Sequence, residues 1–236
     1  MRNIFYILIF LFFSLSPLRA QFDEVIYDRE FTYGITTNTN VFFAGFSFKF
    51  SKFLSKEVNH HIGFELSNLK HPKEERYTNI YGNTFIYNKQ YFVFPLRANY
   101  GREYILFRKT PYEGMQLSLN VAVGPTFALV KPYYVIYDRG DSQRQEPYDP
   151  RIHEDENRIL DGGGIFRGLD RGRFEFGLHM KNSLAFEFGK FGNDVAGLEL
   201  GMLIEGYNKN IEILPFAPNN PVFSTLFLTL FYGSRK

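Results

Sequence analysis

The chain has neither cysteine nor tryptophan among its 236 residues. Without cysteine no disulfide can form and no lipid can be attached at a cleavage-site cysteine, so an exported form of this chain must be held together by other means. Without tryptophan, any aromatic girdle at a membrane surface has to be built from Tyr and Phe. A surplus of basic charge is also missing: 27 Lys and Arg stand against 25 Asp and Glu. If the first twenty residues are removed, Arg2 and Arg19 go with them and the balance falls to about zero, which argues against a nucleic-acid partner. Long apolar runs are absent after the N-terminal segment. No stretch approaches the roughly 18 residues that mark a membrane-spanning helix.

The N-terminal segment itself has the layout of a secretory signal: Arg2, an apolar stretch from Ile4 to Leu15, then Leu18-Arg19-Ala20. Its apolar core is short of the roughly 20 residues a spanning helix needs. Cleavage after Ala20 is expected, exposing Gln21, and residues 21–236 then form one domain.

What the chain has in quantity is aromatic residues, 28 Phe and 16 Tyr, and strict two-residue alternation. Phe42, Ala44, Phe46, Phe48 and Phe50 alternate with Gly45, Ser47, Lys49 and Ser51. In a strand, that period puts one set on each face. Eight segments show it: 28–37, 41–52, 60–69, 89–107, 115–136, 173–190, 195–205 and 222–232. In the last, Leu226, Leu228 and Leu230 alternate with Phe227, Thr229 and Phe231, and the faces stay unassigned. Pro95 and Gly124-Pro125 are expected to disturb their strands. The links after the second, fourth and sixth segments are short, and those after the third, fifth and seventh are long. This is the pattern of an eight-stranded antiparallel up-and-down transmembrane β-barrel with both termini on the short-turn side. The mean hydropathy of −0.23 does not oppose it, because alternation hides a lipid-facing surface from averaging. The competing reading is a soluble carrier barrel with its apolar face inward. It fits poorly, because the small-residue face carries Glu65, Arg97, Glu103, Glu175, His179, Lys181, Glu187 and Glu199. Eight strands enclose an interior just wide enough to be filled by side chains. Charges there must pair, so these residues are expected to form a salt-bridged plug centred on Arg97 and Lys181.

Candidate chemistry is sparse. His179, Ser183 and Glu187 share a face, but four residues along a strand is roughly 13 Å, whereas a nucleophile and its base need about 3 Å. His60 and His61 point to opposite faces and cannot chelate one ion. No catalytic residue, metal site or cofactor is expected. The third long loop carries Asp149, His153, Glu154, Asp155 and Glu156 without the spacing of a calcium loop. A short helix is expected there over 150–160, with Pro150 in its first turn and Arg158 near its end. His153, Ile165, Phe166 and Leu169 in this loop are the expected partner contacts, the last three having as their alternative a position tucked over the barrel mouth. The charge run of Lys73, Glu74, Glu75 and Arg76 in the second long loop is expected to be a solvated surface.

On Ala20-Gln21, the HPKE of His71 to Glu74, Gly124-Pro125, the KPYY of Lys131 to Tyr134 and the terminal FYGSRK, the chain resembles the small outer-membrane β-barrel proteins of Bacteroidota. It is distantly similar to the PorT-like proteins, which match in size and strand count and are implicated in type IX secretion. The resemblance implies an outer-membrane location, contact with outer-membrane lipid, and a protein partner in a membrane complex. It departs from the common barrel ending, in which the last residue is aromatic: Phe231 and Tyr232 are followed by four more residues. The leading functional expectation is a non-enzymatic barrel acting as a partner-binding or accessory subunit of a secretion or assembly complex. The alternatives are a lipid-modifying enzyme and a small pore.

Overall fold

The computed structural model describes residues 28–39, 41–55, 57–108, 114–188, 193–217 and 219–236, without the side chains of 41–44. The signal segment and its cleavage site after Ala20 lie outside the described residues. The described residues form thirteen strands: β1 (Arg29–Asn38), β2 (Val41–Phe53), β3 (Val58–Ser67), β4 (Arg76–Thr78), β5 (Thr84–Ile86), β6 (Tyr91–Phe107), β7 (Met115–Pro132), β8 (Tyr134–Asp138), β9 (Gln143–Pro147), β10 (Ile159–Gly162), β11 (Arg173–Phe188), β12 (Asp194–Tyr207) and β13 (Val222–Arg235). Eight of them close an antiparallel barrel in the order β1-β13-β12-β11-β7-β6-β3-β2. Closure gives each barrel strand a partner on both edges, so the wall needs no disulfide and leaves no free strand edge among the described residues.

Alternation along each strand separates the two faces. Ile35, Phe48, Phe64, Leu96, Val123, Leu178, Leu200 and Leu230, one from each barrel strand, are all exposed on the outside. Soluble monomers expose contiguous apolar patches of only about a few hundred Å². A belt that crosses all eight strands is the surface of a barrel that spans a membrane.

Three sequence expectations change here. Pro95 and Pro125 do not shift the register. In the β6–β7 pairing Pro95 lies opposite Ala128, and the same register runs on through Tyr100 and Val123; the irregularity falls between Ile105 and Phe107. Gly124 is needed for a different reason. A Cβ there would sit 1.8 Å from the Ala98 carbonyl oxygen, so only glycine allows β6 and β7 to approach this closely. The helix expected over 150–160 contracts to one 3₁₀ turn at Glu156–Arg158, followed directly by β10. Asp side chains take over backbone donors that a helix would have used. Asp149 accepts from Arg151 N at 2.9 Å and Asp155 from Asn157 N at 3.1 Å, the local bonding that competes with helix.

The residues after the last aromatic pair are also strand. β13 runs on to Arg235 and pairs with β1 as far as Glu30.

Candidate functional site

Four inward cations and their carboxylates run down the lumen. Nearest the long-loop end, Arg97 on β6 makes a two-pronged pair with Glu205 on β12, both contacts at 2.9 Å, and donates to Ser67 Oγ at 2.7 Å. Next, Lys181 on β11 bonds Glu65 on β3 and lies 3.3 Å from Glu199 on β12, whose carboxylate also accepts from Ser183. Lys49 on β2 faces Glu103 on β6 at 3.5 Å. At the end carrying the termini, Arg235 bonds Glu30 at 2.6 Å and both oxygens of Glu187. Apart from the Lys181 and Ser183 contacts to Glu199, which join the consecutive strands β11 and β12, the links join strands that are apart in sequence, and all the charged groups except Lys49, Glu65 and Glu199, which remain slightly exposed, are buried. A lone buried charge costs several kcal/mol, which is why every cation here has a carboxylate.

The sequence-expected residues distribute as follows. Glu65, Arg97, Glu103, Lys181, Glu187 and Glu199 belong to these pairs. Glu175 is buried at the mouth and bonds Arg173 at 3.1 Å. His179 takes no part in an ion pair. Its Nδ1 meets Thr126 Oγ1 at 2.9 Å and its Nε2 meets Asn99 Oδ1 at 2.6 Å. Since Asn99 Oδ1 can only accept, Nε2 carries the proton and Nδ1 accepts from the Thr126 hydroxyl. That order, hydroxyl to imidazole to amide, has the connectivity of a hydrolytic triad. However, Thr126 is fully buried in the wall. The mid-lumen cavity, beside Asn99, Asn120, Lys181 and Glu199, holds only about 30 Å³, the size of a water molecule and not of an acyl group. Ser183 and Glu187 are committed elsewhere, as described. His61 is buried in the lumen instead of solvated, while His60 stacks on Tyr100 outside the barrel at 6.1 Å.

Glu30, Lys49, Glu205 and Arg235 were not among the charges expected to form the plug. The alternation places the first three on the polar faces of their strands, but they were not counted into the network. Arg235 required knowing that the strand continues past Tyr232. The ambiguous face of β13 is explained by the same lumen. Phe227 and Phe231 point inward, where the Lys181 ammonium sits 4.4 Å from the Phe227 ring centre and that of Lys49 5.8 Å from Phe231. They are aromatic because they face cations, not lipid.

Above the ion pairs, the mouth is closed by apolar packing. The connection between β12 and β13 folds back so that Ile211, Ile213 and Leu214 are buried against Leu69, Val93, Ala128, Val130 and Tyr207. Asn219 fixes this strap, accepting from Ile213 N at 3.2 Å and donating to the Leu214 carbonyl at 2.8 Å.

The two longest loops build an ordered lobe on the other side of the β6–β7 wall. β8 pairs with β9 and β10, and β4 with β5. Phe85, Ile86, Phe92, Tyr133, Val135, Tyr137, Tyr148 and Ile159 form its core. Asn79 ties the β4–β5 hairpin to β10, donating to the Ile159 and Leu160 carbonyls at 3.1 and 2.5 Å. His153, expected as a partner contact, is instead buried in this lobe. It stacks on Tyr148 at 5.4 Å and its Nε2 lies 3.1 Å from Glu146. Burial pushes the Glu146 carboxyl up, but hydrogen bonds from Arg139 and His153 outweigh this and hold it below the usual carboxylate range. Ile165, Phe166 and Leu169 are exposed. Glu74, expected in a solvated charge run, is buried and bonds Lys89, whose ammonium also lies 4.3 Å from the Phe92 ring centre. Burial pushes Lys89 down to about 8 despite that carboxylate.

No family model and no curated protein matches the chain. Among solved structures it is similar to Ail, the attachment invasion locus protein of Yersinia pestis, at 10% identity and a TM-score of 0.39, over 89% of this chain and 99% of that one. A second structure of the same outer-membrane protein, in a phospholipid bilayer nanodisc, gives 10% and 0.35 over 89% and 100%. Neisserial surface protein A gives 13% and 0.32 over 88% and 93%.

Proposed function

We propose that this chain is a non-enzymatic outer-membrane barrel that works at its long-loop, cell-surface end as a partner-binding or accessory subunit of a secretion or assembly complex. The observation carrying this is the contrast between a filled lumen and a built lobe. Four ion-paired cations occupy the interior, an apolar strap lies above them, and the mid-lumen cavity among the ion pairs holds only about 30 Å³. That argues against transport through the middle. The loops, by contrast, are shaped into a lobe with its own apolar core, which a chain has no physical need of merely to cross a membrane. Tyr77, Ile80 and Tyr81 on its β4–β5 hairpin and Ile152 nearby in sequence to β9 are exposed, the aromatic and aliphatic composition of a protein contact. The resemblance to PorT-like barrels adds a kind of complex, a type IX secretion assembly.

Affinity purification from native outer membranes tests this reading. The expected result is a stoichiometric partner retained by the wild type and lost from Ile80→Asp/Tyr81→Asp. Recovery of the barrel alone, or of a partner indifferent to the hairpin, would overturn it.

A further inference from the structure

We infer that residues 165–171 form a lipid anchor, with Ile165, Phe166 and Leu169 entering the acyl layer of the leaflet at the long-loop end. The inference rests on the membrane-barrel reading above and goes beyond it by giving these residues lipid, not a protein, as their contact.

The segment leaves the lobe and descends over the outside of the wall. On β7, Leu129 has the outward parity, since it pairs with Phe94 and with the exposed Phe174. A Cβ on Gly172 would lie 2.7 Å from the Leu129 side chain, and one on Gly168 would lie 2.4 Å from the Tyr134 ring and 3.4 Å from Pro132. Lys131, also of outward parity, is buried and donates to the Arg167 carbonyl at 2.7 Å. Residues 167–172 are therefore laid flat against the outer face of the wall. Gly168 is held at φ +76°, which favours glycine, and the 3₁₀ turn Leu169–Arg171 follows.

Directly below this segment, the outer face changes character. Phe127, Phe174 and Phe176 are exposed and belong to the apolar belt, with Phe127 edge-on to Phe176 at 5.3 Å. Directly above it, the outward residue Phe92 is buried in the lobe core. The segment marks the boundary between lipid-facing and loop-covered wall. At that boundary it presents Phe166, 81% exposed, with Ile165 and Leu169, among exposed Arg167, Asp170 and Arg171. Apolar residues flanked by arginines suit an interfacial segment, because Arg can keep its charged head in the headgroups while its stem lies along the apolar layer, and Asp170 stays with the arginines on the headgroup side. The segment joins the belt through Gly172, which lies against Leu129, the cross-strand partner of the exposed Phe174.

The absence of tryptophan allows single-tryptophan reporters in the full chain. Phe166→Trp, Leu200→Trp in the belt and Tyr81→Trp at the hairpin tip are each reconstituted in phosphatidylcholine vesicles containing brominated phosphatidylcholine, with iodide as the aqueous quencher. Trp at 166 and at 200 is expected to emit to the blue of hydrated indole, lose intensity to the brominated lipid and resist iodide. Trp at 81 is expected to do the reverse. If Trp at 200 is quenched by lipid while Trp at 166 follows Trp at 81, the anchor is rejected and the barrel reading stands. If Trp at 200 also escapes lipid, the membrane reading fails and the anchor with it. Equal lipid quenching at 166 and 81 would likewise remove the case for a local anchor.

Discussion

At the end of the lumen that carries the termini, Arg235 closes the barrel by holding Glu30 from β1 and Glu187 from β11. At the opposite end, closure comes from Ile211, Ile213 and Leu214 packed onto inward-facing Val93, Ala128 and Val130. The two seals differ in how they depend on their parts. A buried ion cluster contributes little net stability relative to an apolar filling, yet it fails badly when one member is deleted, since its partners are left charged in a dry site. An apolar seal loses stability in proportion to the methylene groups removed. The first kind is strict about the identity of its residues, whereas the second tolerates substitution by size. The strict seal includes the first and last barrel strands, where pairing of β1 with β13 completes the ring. The tolerant one belongs to a connection outside the wall.

The largest expected effect breaks the charged seal. Arg235→Ala leaves Glu30 and Glu187 facing each other and is expected to cost about 3–5 kcal/mol, read as a lowered urea midpoint in lipid vesicles. Neutralising the partners as well, in Arg235→Met/Glu30→Gln/Glu187→Gln, is expected to restore most of that loss. A triple variant as unstable as the single one would show that the arginine acts by packing and not by compensating charge.

The apolar seal gives the next effect. Ile213 is fully buried, and Ile213→Ala is expected to cost about 2–5 kcal/mol, most of it as faster hydrogen exchange in the strap. Planar-bilayer conductance is expected to stay absent in this variant and in one lacking the strap, because the ion pairs below still fill the lumen. Conductance on strap removal would show that the apolar plug alone is the gate.

Legibility in the sequence follows the same division. All eight barrel strands were readable from alternation, because within the membrane one face meets lipid and the other a polar interior. That contrast fails in two places. Inside β13, Phe227 and Phe231 serve as ring partners for lysines, so aromatic character stopped reporting the side of the wall. In the loops, the single segment read over 115–136 divides at Tyr133 into β7 and β8; β8 lies between β9 and β10 with Val135 and Tyr137 buried in the lobe, so its alternation continues that of β7 without reporting that it has left the barrel wall. The lumen network was partly legible, since Arg97 and Lys181 stand out on small-residue faces. Arg235 was hidden behind the aromatic pair that ordinarily marks a barrel's last strand. His153 was misread because a histidine among acids looks like a surface cluster, and nothing local shows that Tyr137 and Tyr148 enclose it.

Outside the β6–β7 wall, the lobe ties its β4–β5 hairpin to β10 by polar links. Asn79→Ala removes the bonds to the Ile159 and Leu160 carbonyls and the caps its Oδ1 gives to Tyr81 N and Asn83 N, each at 3.0 Å. A loss of about 1–2 kcal/mol is expected, confined to the hairpin and measured as earlier proteolysis between β4 and β5 while the barrel's urea midpoint holds. A shift of the barrel midpoint would mean that lobe and wall unfold together.

The smallest expected effect concerns Lys89, a buried ion at the long-loop end and so the counterpart there of Arg235. Its partner Glu74 does not overcome the cost of burial, and Lys89 is held at about 8 when folded, against an ordinary value near 10.4. Above pH 8 the folded chain releases this proton while the unfolded chain keeps it. Because the unfolded state then binds more protons, stability rises with pH across that window. The gain is about 1 kcal/mol between pH 7 and pH 9, and it is absent below pH 7, where both states are protonated. Comparing wild type with Lys89→Met by proteolysis of the lobe at pH 7 and 9 isolates it, since the variant cannot titrate at that position. If the two respond alike, Lys89 keeps its charge through the window and the ion at the loop end is as firmly paired as the one at the termini.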